Sequence, residues 1–336
     1  MRWTVLPGFL LASYACPAHA ALIPDDPGFP LSWHATKIGL PDAWQYSTGN
    51  ASTIVAVLDT GVIANQPDFA GRVLPPLSAT GGLPMDGTIN NHGTWVASAL
   101  GMEINNGIGG VGVGNFSILP VTVTNEYGYN SPDWIAAGIR LAADSGARVI
   151  NISLSSLSYA KLDAAAAYAR SKGALTFIAA GNDNVRLPMD GYDHLIFVSG
   201  TRPDDQRWND GTYGSNWGPF VDLSAPADDI RVIAPTLPVG YGYGWISGTS
   251  FATPLAAGAA ALAFSMNPDL TPEEVEYLLY ETAVDLGAPG WDEIYGHGRL
   301  DVGALAAAVA NPEPGAAFTF LLAAAVLAQR RRNTKS

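Results

Sequence analysis

The chain has 336 residues and a formal charge of −13, from 17 Lys+Arg against 30 Asp+Glu, with 48% hydrophobic and only 14% charged residues. Arg2, Arg330, Arg331, Arg332 and Lys335 sit at the two ends, so residues 21–310 hold 12 basic against 29 acidic side chains. A body that acidic argues against nucleic acid as a partner, while the length and apolar content allow one large core.

Met1-Arg2 gives a positive start, Trp3 to Ala15 is mostly apolar, and Ala18-His19-Ala20 offers small residues at both positions a signal peptidase reads. The expectation is a secretory signal peptide over residues 1–20, removed by signal peptidase after Ala20. Cys16 lies inside it; a lipoprotein signal is the alternative, but Ser13 stands where that signal wants an apolar residue. Cys16 is the only cysteine, so the mature chain has no disulfide and no cysteine nucleophile.

Residues 21–310 then alternate between strand and helix patterns. Thr53–Leu58 is a short β-branched apolar run ending at Asp59, and His92 precedes an apolar helix over Trp95–Leu100. Trp134–Asp144 has apolar residues at helical spacing, Arg148–Leu154 reads as a strand, and Leu162–Arg170 reads as a helix closing near Lys172-Gly173. Leu175–Ala180 and Leu195–Val198 are further strand runs, the first closing on Gly181-Asn182. Ser247-Gly248-Thr249-Ser250 leads into an Ala-rich helix, with Pro254 expected in its first turn. Thr271-Pro272-Glu273-Glu274 is a capping box opening a helix to about Thr282. Apolar strand runs without polar alternation suit parallel strands covered on both faces. The expected fold is α/β, in one domain over residues 21–310, with a largely parallel sheet and helices on both faces.

In such sheets, sites gather at the carboxyl ends of the strands. Asp59 in LDTGV, His92 in NNHGTW, Asn182 in AAGN and Ser250 in SGTSFATP each stand at the edge of an element. Alone, Asp59 reads equally as the start of a turn, His92 as a surface residue, and Asn182 as a left-handed turn residue. His34, His194 and His297 read as structural or exposed. Together, Asp, His and Ser supply what nucleophilic catalysis by serine needs. The base takes the serine proton, and the carboxylate fixes the tautomer of the base. The chain order Asp…His…Ser is that of the subtilisin type.

The segments VAVLDTGV, NNHGTWVA, AAGN and SGTSFATP resemble, in order and spacing, those of the subtilisin-type serine peptidases. YGHGRLDVGAL (295–305) resembles the stretch that closes that family's domain, and IPDDPGF and KIGLPDAW resemble the N-terminal segment of its thermitase-like members. The resemblance implies a three-layer subtilisin-like fold and a monomeric serine endopeptidase acting on protein or peptide substrates. Ser250 would be the nucleophile, His92 the general base and Asp59 its orienting carboxylate. The Asn182 amide and the Ser250 N–H would form the oxyanion hole. Residues 104–110 resemble the family's calcium loop, implying Ca²⁺ held by Asp26, Asp68, Ile104, Asn106, Ile108 and Gly110. An ion-free Gly/Asn loop is the alternative. A catalytically impaired binding or scaffold protein on the same fold is the alternative function. A G-x-S-x-G hydrolase is disfavoured, since Ala252 stands at the last position of that motif.

Departures from the family pattern set further expectations. Ser153-Leu154-Ser155-Ser156 stands where the family has Ser-Leu-Gly-Gly along the substrate, so the S1 pocket is expected to be narrower or more polar. Near Gly128, where a second substrate strand maps, Tyr127 and Tyr129 either line an apolar S4 pocket or merely cover the surface. Five residues lie between Ala20 and Asp26, which leaves no room for a folding propeptide. At the far end, Asn311-Pro312-Glu313-Pro314, the apolar Gly315–Ala328 and an arginine cluster resemble the PEP-CTERM sorting tail of Gram-negative bacteria. That resemblance implies export, a tail over residues 311–336 handled by an exosortase-type enzyme, and a cell-surface or extracellular fate. A plain membrane anchor is the alternative, though the apolar run is short for a span.

Overall fold

The structure is a computed structural model that describes residues 21–156, 158–236 and 240–312. Residues 1–20, where a signal peptide is expected, and residues 313–336 of the sorting tail expected over 311–336 lie outside the described residues.

In chain order the elements are α1 (Trp33–Lys37), α2 (Leu40–Trp44), β1 (Ile54–Asp59), β2 (Leu77–Ser78), α3 (His92–Gly101), β3 (Ser117–Thr122), α4 (Pro132–Asp144), β4 (Val149–Ile152) and α5 (Tyr159–Ser171). There follow β5 (Leu175–Ala179), β6 (Leu195–Thr201), β7 (Leu223–Pro226), β8 (Ile230–Thr236), β9 (Gly240–Ile246), α6 (Thr249–Met266), α7 (Pro272–Glu281) and α8 (Val302–Ala310).

Seven strands form one sheet in the order β2-β3-β1-β4-β5-β6-β7, and every pair in it is parallel. Side chains alternate between two cores. Val55 and Val57 face one that includes α3, α6 and α8, while Ala56 and Leu58 face one built with α4 and α5. Both faces are thus covered, which is why these strands read as continuous apolar runs. The three-layer α/β expectation holds.

α6 runs through the first core, with residues 249–264 buried. Its many alanines make it narrow enough to lie against β4, β5, β6 and β7 at once. α7 starts at the expected capping box: the Thr271 hydroxyl accepts the Glu274 N–H, and the Glu274 carboxylate accepts the Thr271 N–H.

The sequence reading missed β3, β7 and the antiparallel β8–β9 pair. β3 contains Pro120, normally a mark against a strand inside a sheet. Its N–H groups alternate sides, however. Ser117 donates to Thr53 on the β1 side, and Ile118 donates to Arg72 on the other. Position 120 shares the side of 118, where the two-residue β2 pairs only with Val121 and Thr122, so the proline takes no bond from the ladder.

Candidate active site

The candidate side chains converge at the carboxyl end of the sheet. Asp59 is the last residue of β1 and is fully buried. His92 is the first residue of α3, and its Nδ1 lies 2.9 Å from Asp59 Oδ1 and 3.0 Å from Oδ2. With Nδ1–H given to the carboxylate, Nε2 is left as the basic nitrogen. A hydrogen-bonded frame aims the imidazole. Asn90 Oδ1 accepts the His92 N–H at 3.1 Å, and Thr60 Oγ1 accepts the Gly93 N–H at 3.0 Å while donating to the Asn90 carbonyl at 2.9 Å. Gly93 has no alternative, because a Cβ there would lie 2.3 Å from the Gly61 carbonyl oxygen. Trp95 and Phe251 flank the ring, with centroids 6.4 and 6.1 Å away. Burial pulls the His92 pKa down, but the charge and hydrogen bond of Asp59 outweigh it and the net shift is upward.

Ser250 is the second residue of α6 and is 8% exposed. Its N–H lies in the first turn, where a helix offers no acceptor of its own. Its Oγ donates to the Ser153 carbonyl at 3.1 Å, and Ser153 Oγ donates back to the Ser250 carbonyl at 2.8 Å. The second bond has a cause in the sequence. Pro254 lies in the second turn of α6, not the first as expected, since the helix begins at Thr249. A proline there removes the N–H that would bond the carbonyl four residues earlier, which is that of Ser250. Ser153 supplies the missing donor, and Asn151 Nδ2 holds Ser153 Oγ at 3.0 Å.

Asn182 follows β5. Its Oδ1 accepts both the Thr249 N–H at 2.9 Å and the Thr249 hydroxyl at 2.7 Å. Those two donors fix which way the amide faces, leaving Nδ2 without a partner among the described residues. Sequence reasoning missed Thr249, Thr60 and Asn90; the polar residues flanking Ser250, Asp59 and His92 were the available signal.

Of the candidate substrate residues, Ser153 is buried, Leu154 is half-buried and Ser155 is exposed. Gly128 is not extended. It has φ +84° in a tight turn in which Asn125 Oδ1 accepts the N–H groups of Tyr127 and Tyr129 at 3.0 Å each. Both tyrosines stand out into solvent.

The candidate metal ligands gather in one cluster. Asp26 accepts the N–H groups of Asn105 and Asn106 at 2.8 and 3.1 Å, and Asp68 accepts Asn106 Nδ2 at 2.9 Å and the Gly110 N–H at 3.1 Å. The Tyr243 hydroxyl also donates to Asp68. Burial, with the neighbouring carboxylate adding to it, raises the pKa of Asp26 and pushes that of Asp68 up to about 6. The Gly109 carbonyl accepts the Gly28 N–H, whereas those of Ile104, Ile108 and Gly110 accept no donor among the described residues. Two desolvated carboxylates with alternate free carbonyls form an oxygen-only set that fits Ca²⁺. An ion there would require the Asn106 amide to turn its oxygen inward.

Comparison with known proteins matches residues 50–298 to the subtilase family. Thermitase of Thermoactinomyces vulgaris is 37% identical over 71% of this chain and 84% of its own length. A cell wall-associated protease of Bacillus subtilis is 35% identical over 74% of this chain, which spans only 30% of that longer protein. A solved protease from Pseudoalteromonas arctica superposes with a TM-score of 0.72 at 29% identity, covering 85% of this chain and 99% of the other. A buried carboxylate on a histidine beside a helix-start serine, on a sheet of this order, matches that kinship. The chain belongs to the subtilase family and is a serine peptidase.

Proposed function

We propose that this chain is an exported endopeptidase working through an Asp59–His92–Ser250 triad and an acyl-enzyme. The observation that carries it is the bifurcated contact of His92 Nδ1 with the buried Asp59 carboxylate, which leaves Nε2 as the basic nitrogen of a ring whose centroid is 6.1 Å from that of Phe251, next to Ser250. Ser250 Oγ turns from the Ser153 carbonyl to His92 Nε2, gives up its proton and attacks the peptide carbonyl carbon. The oxyanion takes the Asn182 Nδ2–H and the Ser250 N–H. His92 then passes the proton to the leaving amine as the C–N bond breaks. Water, deprotonated by the same nitrogen, releases the acid and restores the serine.

Ser155 and Ser156 beside this site support a narrowed, polar S1 pocket, and Leu154 and Gly128 border the cleft. Strong preference for Phe, Leu or Tyr at P1 would contradict that pocket. Ca²⁺ held by Asp26, Asp68, Asn106 and the carbonyls of Ile104, Ile108 and Gly110 serves the fold and takes no part in bond cleavage. The cell wall-associated relative supports export, which adds signal peptidase and an exosortase-type enzyme as processing partners at a Gram-negative surface.

The test is casein hydrolysis and fluorophosphonate labelling of the folded mature chain against Ser250→Ala. Loss of about 10⁶ in kcat, the scale known for losing this serine in subtilisin, is expected together with loss of labelling. Absence of both in folded wild-type protein would instead favour the catalytically impaired binding protein.

A further inference from the structure

The Asp26–Asp68 cluster is distant from Ser250 in sequence, yet it abuts both elements that carry the candidate catalytic groups. α3 presents His92 at its first residue and ends at Gly101, just before the loop 104–110. β9 passes the same loop, and only Ser247 and Gly248 separate its end from α6, whose second residue is Ser250.

β9 touches the cluster through one side chain. Tyr243 is half-buried, and its hydroxyl donates to Asp68. Both oxygens lie against Gly109, where a Cβ would strike each of them. The ribbon around Tyr243 is held on two sides. Arg231 of β8 pairs in register with Trp245, and its guanidinium lies 5.2 Å from the ring centroids of both Tyr243 and Trp245. The Ile233 N–H donates at 3.0 Å to Ser98 Oγ, which donates at 2.7 Å to the Trp95 carbonyl, so β8 is clamped to the helix that carries His92. Beyond β9, Ser247 Oγ accepts the Asp229 N–H at 2.9 Å, and the Gly248 N–H donates to the Ala227 carbonyl at 2.8 Å. A shift of Tyr243 thus has little slack to be lost in before Ser250, and energetic coupling needs such a contiguous, stiff path.

We infer that Tyr243 is a positioning residue that links the state of the Asp26–Asp68 cluster to the placement of Ser250. The inference rests on the peptidase reading and deepens it, because it gives that site a regulator, a divalent cation. Asp68 is held by the Tyr243 hydroxyl and the Asn106 amide. A cation that draws Asp68 toward Asp26 pulls the hydroxyl with it, and β9 hands the shift to the N–H and Oγ of Ser250. The link runs both ways: whatever fixes Ser250 also favours the cation-bound arrangement of Asp68.

The test uses the mature chain, Ca²⁺ itself and a reversible peptide boronic acid whose boron accepts Ser250 Oγ. It is run at a temperature where circular dichroism shows the chelated protein folded. Ca²⁺ is expected to tighten boronate binding about 10-fold, and bound boronate to tighten Ca²⁺ binding in calorimetry by the same factor. With a peptide substrate, chelation is expected to lower kcat by about that factor and to change KM by less than about 2-fold. In Tyr243→Phe, which keeps the ring and loses only the hydroxyl, both couplings are expected to fall below about 2-fold, while Ca²⁺ still binds and still raises Tm. A merely structural Tyr243 would lower Tm in the variant and leave the couplings in place. Couplings absent from a wild type that binds the boronate, or unchanged in Tyr243→Phe, overturn the inference. So does a variant that no longer binds Ca²⁺, since the hydroxyl would then belong to the ion site itself. Should Tyr243→Phe melt early, Arg231→Met releases the ring from its other side, with the same loss of coupling expected.

Hydrogen exchange separates this inference from the catalytic one. In Ser250→Ala protein, Ca²⁺ is expected to slow exchange of the amides of residues 243–249, and adding Tyr243→Phe is expected to remove that protection, even if the wild type cleaves nothing. Exchange there that ignores Ca²⁺, or that responds equally in both proteins, refutes the link even if the wild type cleaves.

Discussion

At the scale of single residues, the proposed mechanism makes His92 decide when the enzyme works. Its pKa is raised in the folded chain, so it must lose a proton at a pH above the ordinary histidine value of 6.5 before it acts as a base. The acid limb of kcat/KM against pH is therefore expected to have its midpoint above 6.5. In Asp59→Asn, where burial acts without the opposing charge, the limb is expected to move below it. The same shift stabilises the fold while His92 is protonated, and that contribution is lost as pH rises through the folded pKa. Ser153 offers a second test. Ser153→Ala leaves the Ser250 carbonyl buried without a donor, at a cost of about 1–3 kcal/mol in a melt, with a fall in kcat. In a Pro254→Ala background the helix N–H returns, so the stability penalty of Ser153→Ala should shrink; an unchanged penalty would show that Pro254 is not its cause. The residues proposed to perform the chemistry stood out in the sequence because each sits in a short, distinctive string. Ser153 and Thr249 in their bonding roles were not, because each answers a need created by a residue distant in sequence.

At the scale of elements, α6 is the most constrained. Gly258 lies mid-helix, where a glycine costs about 1 kcal/mol against alanine. Yet a Cβ there would stand 2.6 Å from Val113 Cβ, a branched side chain fixed in the core. Gly258→Ala is thus expected to lower stability, by about 1–3 kcal/mol of overpacking offset by the propensity gain. Val113→Ala in the same chain should recover part of that loss, as read from the denaturant midpoint. Strand and helix runs marked α4, α5, β1, β4, β5 and α7 to within a few residues, because the helices carry spacing or capping signals and the strands are short uninterrupted apolar runs. β3 stayed hidden because Pro120 is harmless only once the brevity of β2 is known. β9 stayed hidden because the glycines of YGYG weaken any strand pattern.

At the scale of the whole molecule, a parallel sheet buried on both faces could be read from uninterrupted apolar runs. The strand order could not, because β3 inserts between β2 and β1 through pairings that no local pattern encodes. The calcium proposal belongs here too. Asp26 sits near the N-terminus of the described chain, Asp68 follows β1, and the loop 104–110 follows α3, so one ion would tie three distant segments together. Adding Ca²⁺ to chelated protein at 100 times its Kd is expected to stabilise the fold by about 2.7 kcal/mol, read as a rise in Tm. Asp68→Asn should abolish most of that rise, and a Tm indifferent to chelator would remove the ion from the account.

The alanines that let α6 thread the core have a consequence beyond packing. α6 is the one described helix long and apolar enough to cross a membrane, yet most of it is buried in the fold. A chain exported unfolded must pass this segment through a translocon that releases sufficiently hydrophobic stretches sideways into lipid. Leucine and isoleucine would favour that escape, whereas alanine, glycine and the hydroxyls of Thr249, Ser250 and Thr253 keep the segment weakly hydrophobic. If the chain is exported as proposed, the composition that makes the helix narrow would also let it travel through the membrane instead of stopping there.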